Sequence, residues 1–210
     1  RILTWDFSLT EGENAVYPHW RFDRLFRRRR EERAAAPYSG GICYTMTPRL
    51  NQLCLYQAGR SFRDADADPD AVAREFFTGL FGQAGPDIAD RSRLFEVVPD
   101  WGSYASVTTP RDEYHARMRE LAGLLRDASP SGGLAVWPSG EELLRELLFF
   151  AELFADLSGP APDFDALRRR YWRRVYGIYD RLPRHVDPRP AGATDRLIDF
   201  FRSWGRPGAA

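Results

Sequence analysis

Two rhythms of apolar residues run along the chain. At the front, the β-branched and aromatic run ILTWDF at positions 2–7 is bounded by the polar loop 8–14 and reads as a strand. Trp20, Phe22, Leu25 and Phe26 then recur at helical spacing ahead of the charged block RRRREER, which predicts a helix over 18–35. After Pro37 and a glycine pair, GICYTMT at 41–47 reads as a second strand. Strand, helix, strand in that order implies a parallel pair by the crossover rule. Two parallel strands alone are not stable in water, so either chain outside this sequence completes the sheet or the pair is an appendage packed on helices. The first completion fits better, because a parallel sheet is covered on both faces.

From Pro48 onward the period is helical. Leu50, Leu53, Cys54, Ala58 and Phe62 form one stripe. Asp68 as a cap and Pro69 at the first position open a helix that buries Val72, Ala73, Phe76, Phe77 and Leu80 and stops at Gly82. Pro86 opens a further helix carrying Ile88, Phe95 and Val98, and residues 100–108 form a loop. Thr109, Pro110 and Asp112 start a helix with the stripe Tyr114, Met118, Leu121 and Leu125. Ser139 and Glu142 form a capping box for a helix that is apolar nearly all round, which predicts burial. Asp163 starts another, with Phe164, Leu167, Tyr171, Val175, Ile178 and Leu182 on one face and Trp172, Tyr176 and Tyr179 on a second. Thr194 caps the last helix, with Leu197, Ile198, Phe201 and Trp204 inward. The loop at 100–108 is the nearest thing to a boundary, giving a β/α portion over 1–99 and a helical portion over 100–210.

Composition narrows the classes. The 210 residues, 43% of them apolar, can fill one sizeable core or two small ones. All 30 cationic residues are arginine, matched by 30 Asp and Glu, so the formal charge is zero and a generic polyanion binder is disfavoured. Absence of lysine beside abundant Ala, Arg, Gly and Pro matches the coding bias of a GC-rich bacterial genome. Cys43 and Cys54 fit no zinc spacing and are expected as buried free thiols. No run is long enough to span a bilayer. The sequence starts at Arg1, so whether the protein is cytoplasmic or secreted depends on residues upstream.

Candidate chemistry gathers at the strand ends. Trp5 and Asp6 could stack on and hydrogen-bond a sugar if the first strand ends at a barrel mouth; otherwise Trp5 is core and Asp6 a turn cap. Tyr17 and His19 follow in the next loop, as cleft residues or as a helix start. Tyr44, Arg49 and Asn51 flank the end of the second strand, where Arg49 suits a carboxylate by bidentate pairing, with capping and solvent exposure as the plainer reading. The arginine block at 27–30 is read as local pairing on a solvated face, Arg27 with Glu31 and Arg28 with Glu32. DADADPD at 64–70 lacks the glycine and distal glutamate of a calcium loop. No nucleophile elbow, phosphate loop or HExxH motif is present, and no metal or cofactor is called for.

Taken in order, WDF at Trp5, YP at Tyr17, SGG from Ser39, NQLCLYQAGR from Asn51, DPDAVAREF from Asp68 and LFG from Leu80 resemble the end of the catalytic barrel in large bacterial glycoside hydrolases, chiefly the α-glucuronidases and a related family of glycosidase-like proteins. The resemblance covers about residues 1–90. It implies the closing part of a (β/α)8 barrel followed by an α-helical domain that packs on the upstream protein. Under it, the chain is the C-terminal portion of a carbohydrate-active enzyme, lining the sugar site while its acid and base carboxylates lie upstream. Where that family has a Leu-Trp-Asn/Asp-Pro turn, this chain reads SFRDADADP, so the substrate class does not transfer. The alternative is a self-contained helical interaction domain without catalysis, with Trp172, Tyr176 and Tyr179 as its partner surface. Self-association into a homo-oligomer is open under either reading.

Overall fold

A computed structural model of the chain describes residues 2–9, 18, 22–35, 38–45, 50–97, 109–136, 139–179 and 193–204. In order these form β1 (Ile2–Leu9), α1 (Phe22–Ala35), β2 (Tyr38–Thr45), α2 (Gln52–Arg63), α3 (Pro69–Phe81), α4 (Gly85–Ser92), α5 (Arg111–Asp127), α6 (Gly140–Ser158), α7 (Phe164–Tyr179) and α8 (Ala193–Ser203).

The expected fold class is corrected: the molecule is a helical assembly and not the closing part of a (β/α)8 barrel. Extended structure among the described residues is confined to β1 and β2, which pair with each other and with no further described strand, while eight helices make up the rest. The TIM-barrel description falls with it. The helical character follows from the chain after Thr45, where the apolar stripes have a period near 3.6, as the sequence predicts.

Local sequence explains where the helices begin and end. Asp68 accepts a hydrogen bond from the Asp70 amide at 3.0 Å, Pro69 occupies the first turn, and Gly82 leaves α3 at a φ of 57°. Ser139 accepts from the Glu142 amide at 3.2 Å to open α6, and Asp163 accepts from the Ala166 amide at 2.9 Å to open α7. The single helix expected after Pro86 is instead α4 followed by a 3-10 turn at Arg93–Val97.

The core is continuous. α1 packs on α2 and α3, α3 on α4, α5 on α6, and α7 and α8 close over α6. Phe95, Phe154, Phe150 and Phe201 join the early helices to the late ones through edge-on ring contacts, with centroids at 5.6 Å between Phe95 and Phe154 and 5.5 Å between Phe154 and Phe201. Tyr114, fully buried, donates its hydroxyl to the Leu94 carbonyl at 2.9 Å across the same seam. Cys54 is buried and is not in a disulfide; the side chain of Cys43 lies outside the described residues.

Arginines provide much of the polar architecture. In α1, Arg28 pairs with Glu32 at 3.1 Å, as the spacing predicts. Arg29 departs from that expectation: it is buried, pairs with Glu32 and lies over the Phe62 ring at 4.4 Å. Arg33 donates to the carbonyl of Phe62 at 2.9 Å and Arg30 to that of Ala65 at 3.1 Å, so α1 caps the C-terminal end of α2. Arg111 does the same for α6, donating to the carbonyls of Leu157, Ser158 and Gly159. Arg93 ties α1 to α3 through Asp23 and Asp70, and these bonds, Asp70 first, raise its pKa. No helix among the described residues is long and apolar enough to cross a membrane.

Candidate functional site

Three of the strand-end candidates lie on the paired strands β1 and β2. Trp5 and Asp6 lie within β1, in register with Ile42 and Cys43 of β2, and Tyr44 follows on β2. This juxtaposition is at backbone level. Tyr17, His19 and Arg49 lie outside the described residues. Asn51 sits just before α2, where it is buried and its carbonyl accepts from the Leu55 amide at 3.0 Å. It therefore stands at the start of α2. No cluster of His, Cys, Asp or Glu among the described residues could hold a metal ion.

A site does form on α7, from a sequence that places five arginines in seven residues around Tyr171 and Trp172. Helical geometry sorts them by face. Leu167 and Tyr171 turn into the core, Tyr171 meeting Phe150 edge-on at 6.4 Å. Arg170 and Arg174 turn toward α6. The first bonds Asp156 at 2.7 Å and Glu152 at 3.0 Å, and the second grips the buried Glu146 with both prongs, at 2.9 and 2.8 Å. Both guanidiniums also lie over the Phe149 ring, at 5.3 and 5.4 Å from its centroid. From α8, Arg202 reaches Asp165 at 3.5 Å and lies over Phe164 at 5.2 Å, which anchors the start of α7.

What remains on the outer side is an open depression of ≈ 410 Å³ lined by Asp165, Arg168, Arg169, Trp172 and Arg173. Arg169 and Arg173 are exposed, stand one helical turn apart, and have no carboxylate within ion-pair distance among the described residues. Trp172 is half-buried, with its ring edge-on to Tyr171 at 5.7 Å, so the core holds its position while part of the indole faces outward. Arg169 and Arg173 make the depression cationic on a chain with no net charge, since Asp165 at its edge is engaged with Arg202. Such an arrangement binds an anion and offers it an aromatic wall.

Sequence reasoning placed Trp172 on a second face of this helix and missed the arginines beside it. The signal was there in the RRR-YW-RR spacing, but two of those arginines are neutralised by carboxylates on α6, and only the packing shows which two. The side chains of Tyr176 and Tyr179 lie outside the described residues. Compared with known proteins, the chain matches no family model, no curated protein and no solved structure.

Proposed function

We propose that this chain is a helical interaction domain that docks an acidic protein partner on the outer face of α7. The observation that carries this reading is the open cationic depression around Trp172, Arg169 and Arg173, on a helix whose other face is locked to α6. A rigid support of this kind leaves only the side-chain rotamers, and not the backbone, to be ordered on binding. The carbohydrate-enzyme reading depended on a barrel, and the corrected fold takes away that premise. Its alternative needs only a helical body with an accessible face.

Charge chooses the partner. Two copies of this face brought together would oppose cation to cation, which disfavours self-association here and favours an acidic surface. A polynucleotide is a poorer match, because the two arginines Arg169 and Arg173 neutralise few phosphates and the rest of the molecule adds no net positive field.

The test is fluorescence anisotropy with labelled Glu-rich peptides and length-matched neutral controls. Saturable binding of the acidic peptides, lost in the double reversal Arg169→Glu with Arg173→Glu, is the expected result. Absence of saturable binding, or binding untouched by the reversal, overturns the reading.

A further inference from the structure

We infer that the α7 depression recognises a phosphoryl group, carried on a phosphorylated serine or threonine of the acidic partner, with Arg169 and Arg173 as paired donors and Trp172 as the wall beside them. The inference rests on the docking reading above and narrows it. Three features of the face carry it.

First, the arginines of α7 are divided by task. Arg170 and Arg174 each make two bonds to carboxylates of α6, whereas Arg169 and Arg173 are exposed and make no ion pair with the described residues. Placed one turn apart on one side of a helix, two like charges repel, and an anion held between them relieves that repulsion.

Second, the acid that could neutralise Arg169 from one turn earlier is Asp165, and it is engaged with Arg202 of α8 at 3.5 Å. The pair of guanidiniums is thus kept available for an external anion, and Asp165 marks the edge of the depression.

Third, the stoichiometry of hydrogen-bond donors fits a phosphate better than a carboxylate. A carboxylate is satisfied by one planar fork, while a phosphate monoester carries nearly two charges and three acceptor oxygens, enough for two forks at once. Trp172 stands between Arg169 and Arg173 in the sequence and supplies an apolar wall for the peptide next to the phosphoryl group.

The experiment uses the full chain and three labelled degenerate peptide libraries of equal length, with phosphoserine, glutamate or serine fixed at the centre, plus a labelled oligo-dT. Anisotropy titrations are expected to show the phosphoserine library binding roughly tenfold more tightly than the glutamate library. Arg169→Ala and Arg173→Ala should each weaken that binding by roughly tenfold, and Arg169→Lys, which keeps the charge and loses the fork, should fall between wild type and Arg169→Ala. Both arginines are exposed, so unchanged circular dichroism and thermal midpoint will confirm that the variants are folded. Equal affinity for the glutamate and phosphoserine libraries overturns the phosphoryl inference and leaves acidic docking standing. Failure of both libraries to bind overturns both readings. Preference for oligo-dT, with a steep loss on adding salt, assigns the face to nucleic acid and overturns the inference. Phosphoserine binding that survives both alanine variants places recognition elsewhere and overturns it too.

Discussion

Replacing Arg111 should destabilise the protein well beyond what a partly exposed arginine ordinarily contributes. Arg111 opens α5 and sends its guanidinium to the end of α6, donating to Leu157 O at 2.9 Å, Ser158 O at 3.0 Å and Gly159 O at 3.3 Å. Those carbonyls belong to the last turn of a 19-residue helix and to its C-cap, where no intrahelical donor reaches them and the helix dipole is negative. Leu157 and Ser158 are buried, so an intact fold gives water little room to replace the guanidinium. A charge-assisted bond contributes about 1.5–3 kcal/mol net. Two bonds are short and one is long, and burial of Arg111 is incomplete, which lowers its pKa through desolvation and lets some water in after truncation. The low end for two bonds is the appropriate figure, about 3 kcal/mol for Arg111→Ala. In a chain of this length that corresponds to a fall in Tm of roughly 6–12 °C. Urea denaturation followed by circular dichroism at 222 nm measures it, with Arg111→Lys as the control. Lysine keeps the charge but has no planar fork, so it should recover only part of the loss. If Arg111→Ala stays within about 0.5 kcal/mol of wild type, the α6 cap is not a stabilising element and the reasoning is wrong.

Two further predictions follow from close approach and from burial. Gly85→Ala places a Cβ at 2.4 Å from the Phe77 carbonyl oxygen and from the Thr78 backbone, which cannot rotate away, so a loss of more than about 2 kcal/mol is expected in urea denaturation. Gly123→Ala, inside α5 with nothing within 4 Å of the new methyl, should instead stabilise by about 0.5–1 kcal/mol; similar effects at the two sites would refute the packing around Gly85. Burial raises the pKa of Tyr114 well above its ordinary 10.0. Above that pH the unfolded chain releases this proton and the folded chain keeps it, so stability falls as pH rises past about 10, by up to about 1.4 kcal/mol per pH unit. Tyr114→Phe should flatten that part of a stability profile, and at neutral pH should lose about 1–2 kcal/mol through the stranded Leu94 carbonyl; a profile identical to wild type would refute it.

How far the sequence reached varies by element. Caps and stripes were legible because they are local: Asp68 with Pro69, Ser139 with Glu142, and Asp163 open their helices through bonds to residues two or three positions away. The buried stripes of α3, α5 and α6 repeat at a spacing that needs no knowledge of the partner. Fold class was misread because strand, helix, strand at the front is a pattern many architectures share, and the number of strands beside it is a tertiary fact.

That this protein is built from amphipathic helices, where most of them start and which residues they bury follows from the order of residues alone, since each of those choices is made within a turn or two of backbone. What its arginines do follows from packing. Arg29 is buried, Arg33 and Arg111 cap helices from neighbouring elements, Arg174 clasps the buried Glu146, and Arg169 and Arg173 are left facing outward. Identical side chains a few positions apart differ only in the carboxylates, carbonyls and rings that packing brings within reach of their long stems, and that reach spans helices far apart in the chain.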